Sequence, residues 1–152
     1  MKNKSLIIQL LIFFLVATSL LYFGSRRNVE GGDINIDVKK EKAEKIEVIY
    51  FHGTARCPSC ILLEEYSSDV LNNNFLKEIE EGLVSFSKVN VDLPENREIA
   101  KKFQASGSSL KINEIIGGED NISDEVSVWR YLNNKHNFEA YLVERISSRL
   151  DK

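Results

Sequence analysis

The chain has 152 residues, of which 43% are hydrophobic and 28% charged, with two cysteines and a formal net charge of −3. Charge is unevenly divided, because residues 1–43 carry seven basic and four acidic side chains whereas residues 44–152 carry 13 and 19. An acidic folded part without a basic patch argues against nucleic acid as a partner.

Residues 5–24 form an almost entirely apolar stretch of 20 residues. As a helix it would be about 30 Å long, which matches the hydrocarbon core of a bilayer. The stretch predicts a transmembrane helix, and Lys2 and Lys4 before it slightly favour a cytoplasmic N-terminus, with the rest of the chain on the non-cytoplasmic side. The alternative is a cleaved secretory signal, since small residues at 17–19 loosely fit a cleavage site. Residues 1–24 are thus predicted to be a membrane anchor or a signal, which makes the chain a single-pass membrane protein or a secreted one.

Residues 25–45 are polar, contain Gly31 and Gly32, and have few large apolar side chains. This composition predicts a tether, although a short strand at residues 34–38 is an alternative within it. Residues 46–152 have the length of one domain with its own hydrophobic core.

The domain begins with a buried strand pattern and a helix pattern. Residues 46–52 are β-branched and aromatic and nearly continuous in apolar character. Pro58 suits a first helical turn, because it has a fixed φ and no N–H. Its expected buried face consists of Ile61, Leu62, Tyr66 and Val70. Residues 72–74, three asparagines, are predicted to interrupt this helix, which resumes over residues 75–81.

The second half of the domain alternates in the same way. Residues 83–92 predict a second strand and residues 93–104 a second helix with Pro94 at its start. Residues 109–116 predict a third strand, and a glycine turn leads to a fourth at residues 119–122. Two helices follow, one near residues 124–132 and one capped by Asn137. This order is typical of an α/β, thioredoxin-type three-layer fold with a central mixed sheet, in which a right-handed crossover makes the first two strands parallel neighbours.

Cys57 and Cys60, separated by Pro58 and Ser59, fall at the predicted start of the first helix. Unpaired backbone N–H groups and the positive end of the helix dipole favour a thiolate there. We therefore expect Cys57 to be the attacking sulfur, and Arg56 to favour its thiolate further. Cys60, one turn on, is expected to point inward and to resolve a mixed disulfide.

Other interpretations of the cysteines are a metal site, a structural disulfide and two inert core thiols. A structural zinc site requires four ligands, so the two cysteines would need both histidines. His52 and His136 lie far apart in the sequence and lack zinc-finger spacing. A disulfide that closes so short a loop removes little chain entropy. His52 is expected to be buried beside the strand end, with a role as proton shuttle as the alternative. No Gly-x-Gly-x-x-Gly is present, and we expect no cofactor and no metal.

Residues 46–150 resemble the thioredoxin-like superfamily, and more narrowly the bacterial family of nitrophenyl compound nitroreductase subunits. The resemblance rests on IYFHGTARCPSC, on VNVDLPENREIAKKFQ, on SSLKI at the third strand, and on a late tryptophan before FEAYLVERI. The superfamily implies thiol–disulfide exchange with protein thiols or disulfides as partners. The narrower family implies an electron-donating subunit of a reductase complex.

The chain departs from ordinary thioredoxins in three ways. Arg56 replaces the tryptophan before the first cysteine, and the first strand lacks the buried acid of that superfamily. Ser109 stands where a cis-proline usually shapes the substrate groove. The expected function is membrane-tethered thiol–disulfide exchange, with residues 5–24 in the membrane. A redox-inactive adaptor and the reductase subunit are the alternatives, and the redox partner is unknown.

Overall fold

The computed structural model describes residues 41–150 together with residues 15, 16, 18 and 19, which are helical. The chain divides into two units, Met1–Val38 and Lys39–Lys152. In the described part of the chain, no helix combines the length and the apolar character that crossing a membrane requires. Apart from those four residues, the predicted anchor lies outside the described residues, as do the tether up to residue 40 and the short strand at residues 34–38.

The folded domain begins slightly before the predicted boundary at residue 46. Ala43 is buried and forms an isolated parallel bridge with Leu150. The Lys42 ammonium donates to the Leu150 carbonyl at 2.8 Å. These contacts lie within the stretch assigned to the tether and attach it to the C-terminal end of the domain.

A four-stranded mixed sheet forms the centre of the domain. Its strands are β1 (Lys45–His52), β2 (Val84–Asn90), β3 (Ser109–Ile116) and β4 (Glu119–Asp124), arranged in the order β2-β1-β3-β4. β1 and β2 are parallel, whereas β1 with β3 and β3 with β4 are antiparallel. The expected mixed sheet, with the first two strands as parallel neighbours, is confirmed.

Helices pack on both faces of this sheet. They are α1 (Pro58–Asn74), α2 (Leu76–Glu80), α3 (Arg97–Lys102), α4 (Val128–Tyr131) and α5 (Lys135–Ser147), with a 3-10 turn at Pro94–Asn96. α1 and α5 bury Leu63, Val70 and Leu142 in the main core against β1 and β3. On the opposite face, Phe103 packs against Phe51 in a smaller cluster. The layers and the order of elements make this a thioredoxin-like α/β fold.

The buried face of α1 differs from the predicted one. Ile61 is 50% exposed, whereas Leu63, Ser67, Val70 and Leu71 are buried. The prediction chose the wrong side of the helix at Ile61 because a serine occupies a core position. The Ser67 hydroxyl donates to the Leu63 carbonyl at 2.7 Å, so the burial of Ser67 leaves no unpaired polar group.

The bounds of four helices also differ from the prediction. α1 continues through residues 72–74, and the second predicted helix is split into a 3-10 turn and the short α3. The cap of α5 is Asn134, not Asn137, because the Asn134 side chain accepts a hydrogen bond from the Asn137 backbone N–H at 3.1 Å. β4 continues to Asp124, which pairs with Lys111 at 2.7 Å, and only Val128–Tyr131 is helical after it.

A buried ion network joins α5 to β3. Glu114 on β3 accepts from Arg145 of α5 and from Arg149, which lies just after the end of that helix. Arg145 also donates to Glu125 at 2.9 Å. Burial works to raise the pKa of Glu114, but the hydrogen bonds from Arg149 and Arg145 outweigh it and hold that pKa below its usual value. The network fixes the register of α5 on the sheet.

Candidate functional site

The two cysteines lie where β1 leads into α1. Cys57 is the N-cap residue of α1, Pro58 begins the helix, and the two sulfurs are joined in a disulfide with a Cα–Cα distance of 5.1 Å. The Cys57 sulfur accepts a hydrogen bond from the Cys60 backbone N–H at 3.1 Å. The sulfur thus occupies the position of an N-cap acceptor, where the helix presents its unpaired donors.

The residues of the motif differ in exposure. Cys57, Pro58 and Ser59 are exposed, whereas Cys60 is half-buried. A reagent or a partner protein therefore meets the Cys57 sulfur first. This asymmetry agrees with the roles predicted for the two sulfurs, which stay predictions.

Arg56 points away from solvent, towards a carboxylate and a phenol. Its Nη2 contacts Glu64 Oε2 and lies 3.4 Å from the Tyr50 hydroxyl, and its guanidinium carbon lies 5.5 Å from the centre of the Tyr50 ring. Burial works to lower the pKa of Arg56, but the hydrogen bonds with Tyr50 and Glu64 outweigh it and raise that pKa. The charge predicted to act on Cys57 thus has a counter-ion that sequence reasoning missed.

Glu64 connects two cations from different elements. It follows Cys60 by one helical turn, and its second oxygen pairs with the Lys88 ammonium of β2 at 2.8 Å. Burial works to raise the pKa of Glu64, but hydrogen bonds from Lys88 and Arg56 lower it overall. The i, i+4 spacing from Cys60 is the sequence signal that could have singled out Glu64.

Tyr50 links the strand to the cysteine helix. It is fully buried, and its hydroxyl donates to the Cys60 backbone carbonyl at 2.6 Å. The His52 ring stacks on the Tyr50 ring with centroids 5.6 Å apart, and His52 Nδ1 lies 2.9 Å from the Gly53 carbonyl oxygen. His52 is half-buried at the end of β1, as expected for the interpretation in which it packs beside the strand end.

A polar cluster holds the loop that precedes the cysteines. The Thr54 backbone N–H donates to Asp92 Oδ2 at 2.7 Å, and Asn90 donates to the Thr54 hydroxyl at 3.1 Å. A Cβ on Gly53 would come within 3.3 Å of the same carboxylate oxygen, so a side chain there would crowd the contact. The backbone hydrogen bond from Thr54 lowers the pKa of Asp92. Sequence reasoning missed Asp92, whose place at the end of the predicted second strand was the available signal.

Ser109 lies at the same edge of the sheet as the cysteines. It is the first residue of β3 and pairs with Phe51 near the end of β1, because the two strands are antiparallel. Its hydroxyl is buried and has no hydrogen-bond partner among the described residues. No cis peptide bond occurs in the described part of the chain. Ser109 thus begins β3 with a trans backbone, and its predicted part in a substrate groove stays a prediction.

The zinc interpretation requires free cysteine ligands. Cys57 and Cys60 are bonded to each other. Within residues 41–150 and the four described residues before them, no three His, Cys, Asp or Glu side chains are grouped so that they could hold a metal ion.

No protein-family model and no curated protein matches the chain, and no comparison supports the narrower resemblance to nitroreductase subunits. Among solved structures, the chain is similar to thioredoxin from Fasciola hepatica, with 24% identity, coverage of 70% of this chain and 83% of that one, and a TM-score of 0.42. It is similar to an uncharacterised thioredoxin-like protein from Clostridium perfringens, with 17% identity, coverage of 81% and 94%, and a TM-score of 0.44. It is also similar to thioredoxin O2 from Arabidopsis thaliana in the oxidised state, with 21% identity, coverage of 62% and 75%, and a TM-score of 0.41. The fold of this chain follows from its own strand order and connections.

Proposed function

We propose that the protein is a membrane-tethered thiol–disulfide oxidoreductase that uses the Cys57–Cys60 couple. The observation that carries this proposal is the exposed Cys57 sulfur at the N-cap of α1, bonded to the less exposed Cys60. A helix N-terminus favours a thiolate, and a thiolate is the species that attacks a disulfide.

The exchange proceeds in two steps. In the reduced protein, the Cys57 thiolate attacks one sulfur of a partner's disulfide and releases the other partner sulfur as a thiolate. Cys60 then attacks Cys57 in the mixed disulfide, which closes the intramolecular disulfide and releases the partner as a dithiol. The same two steps in reverse oxidise a dithiol of the partner to a disulfide. Support for the order of attack comes from the greater exposure of Cys57 and from the Cys60 N–H that faces its sulfur.

Trapping of the mixed disulfide tests this proposal. Cys60→Ser removes the resolving thiol and should accumulate covalent adducts that dithiothreitol releases, whereas Cys57→Ser should trap nothing. The rival is a redox-inactive adaptor that lends its fold to a partner. If Cys60→Ser gives no adducts and the Cys57→Ser/Cys60→Ser double variant fully rescues a null phenotype, the adaptor is correct.

The membrane part of the proposal rests on the apolar stretch at residues 5–24. Cell fractionation should recover the intact chain with membranes, and added protease should reach the domain only from the non-cytoplasmic side. Recovery of a soluble chain that begins near residue 20 would replace the anchor with a cleaved signal.

The reductase-subunit role implied by the narrower resemblance gains no support from the site. Thiol–disulfide exchange with a protein remains the function that the geometry of the cysteines favours.

A further inference from the structure

The first two turns of α1 carry a chain of charged contacts beneath the cysteines. Lys88 on β2 pairs with one oxygen of Glu64, Arg56 contacts the other, and Arg56 also lies against the Tyr50 hydroxyl. The chain ends at the Cys60 carbonyl, to which Tyr50 donates. Side chains of Arg56 and Glu64 are only 24% and 18% exposed, so solvent screens this pair less than a surface pair.

Arg56 is the cation next to Cys57 in the chain, and its orientation decides how strongly it acts on that sulfur. A free guanidinium beside a cysteine stabilises the thiolate. Here the guanidinium is turned towards Glu64 and Tyr50, and the carboxylate charge offsets much of its field. The attraction that Arg56 exerts on a Cys57 thiolate is therefore reduced while Glu64 is ionised.

We propose that Glu64 is a positioning residue that holds Arg56 against Tyr50 and thereby limits how far Arg56 stabilises the Cys57 thiolate. The proposal deepens the proposed function and rests on it. Its consequence is that Glu64 keeps the Cys57–Cys60 disulfide a weaker oxidant than the helix N-terminus and Arg56 would otherwise make it. Stabilising a thiolate stabilises the reduced form, and a couple with a more stable reduced form is more strongly oxidising.

Glu64→Gln keeps the shape of the side chain but removes its charge. In this variant, the equilibrium in which two glutathione molecules reduce the protein disulfide to the dithiol should shift. We expect its equilibrium constant to rise by about tenfold towards the dithiol, which corresponds to a rise of about 30 mV in the reduction potential. In the reduced protein, the rate of Cys57 alkylation by iodoacetamide at pH 7 should rise by about threefold. Both are measured on the full chain in mild detergent, with the modified cysteine identified by mass spectrometry.

Glu65→Gln is the matched control, because it removes the same charge from the next residue of α1. Glu65 is exposed, and it has neither a hydrogen bond nor an ion pair with Arg56 among the described contacts. Its glutathione equilibrium should stay within about twofold of the wild type, because an exposed charge is screened. Equal shifts in both variants would overturn the proposal, since the effect would then be one of net charge and not of Arg56.

Arg56→Gln tests whether Glu64 acts through Arg56. In the Arg56→Gln background, adding Glu64→Gln should change the equilibrium by less than about twofold, because no guanidinium remains to be released. A full tenfold shift in that background would overturn the proposal.

If the Glu64→Gln chain does not fold, the variant Lys88→Gln tests the proposal instead. Without Lys88, Glu64 should hold Arg56 more firmly, and the glutathione equilibrium should shift towards the protein disulfide by about twofold. No shift, or a shift towards the dithiol, would overturn the proposal.

Failure of this inference is distinguishable from failure of the proposed function. If wild-type Cys57 neither equilibrates with glutathione nor reacts faster than Cys60, the proposed function fails. If the wild type does both but Glu64→Gln behaves like Glu65→Gln, only the role of Glu64 fails.

Discussion

Tyr50→Phe removes one buried hydroxyl from beneath the cysteine helix and leaves the ring in place. That hydroxyl donates to the Cys60 carbonyl at 2.6 Å, which is a well-formed hydrogen bond. Its contact with Arg56 is longer, at 3.4 Å, and therefore weaker than the bond to Cys60. The variant therefore loses one hydrogen bond between β1 and α1.

The expected cost follows from the environment of the two groups. A net hydrogen bond contributes about 1 kcal/mol to the free energy of unfolding, and the Cys60 carbonyl keeps its acceptor role within α1. The phenylalanine ring still fills the buried position and still stacks on His52. We expect a loss of about 1 kcal/mol, or roughly 4 °C in melting temperature.

Urea unfolding of the oxidised full chain in mild detergent, followed by the fluorescence of the single tryptophan, measures this loss. Tyr66→Phe is the matched control, because Tyr66 packs edge-on against Phe138 and its hydroxyl has no hydrogen bond among the described contacts. The control should change stability by less than about 0.5 kcal/mol. A loss below about 0.3 kcal/mol for Tyr50→Phe would refute the hydrogen bond to Cys60, and a loss above about 3 kcal/mol would refute the assumption that the ring stays in place.

Three further outcomes are expected. Iodoacetamide at neutral pH should modify reduced Cys57 at least about tenfold faster than Cys60, and equal slow rates in mass-spectrometric time courses would favour inert thiols. Leu63→Ala should cost roughly 3 kcal/mol in urea unfolding because Leu63 is fully buried, whereas Ile61→Ala should cost under about 0.5 kcal/mol because Ile61 is half exposed. Glu114→Gln should lower the free energy of unfolding by roughly 3 kcal/mol at pH 7, because buried Arg149 loses its counter-ion and Arg145 keeps only Glu125. The pKa of Glu114 is lowered in the folded protein, so the stabilisation by its carboxylate is present above about pH 4.5 and is lost as the pH falls through the folded-state pKa. The difference in the free energy of unfolding between wild type and Glu114→Gln should therefore narrow in acid. A difference that does not change with pH would contradict the ion pairs of Glu114.

The sequence alone determined the order of elements and the place of the cysteines. Alternation between β-branched runs and helical spacing is a local property, and it was sufficient to predict four strands, their mixed pairing and a helix that starts at Pro58. The N-cap position of Cys57 followed from the same local rule, since a proline after it marks a first helical turn.

Local pattern was insufficient where long-range contacts decide the outcome. The side of α1 that faces the core includes Ser67, whose hydroxyl finds its hydrogen-bond partner within the helix. Because the prediction counted only apolar side chains, it assigned Ile61 to the buried face and omitted Leu63. The cap of α5 was misplaced by three residues because Asn134 and Asn137 both fit the local preference for a cap.

Only the tertiary structure decided the electrostatics of the site. Glu64 meets Lys88 because parallel pairing places Lys88 beside Tyr50, and the Tyr50 hydroxyl contacts α1 at Cys60. Thr54 meets Asp92 because the same pairing brings the ends of β1 and β2 to one edge of the sheet. The sequence showed Arg56 beside Cys57 and suggested a free positive charge. Packing turned that charge towards a carboxylate one helical turn beyond Cys60, and such a pairing depends on the side-chain direction that the assembled layers impose.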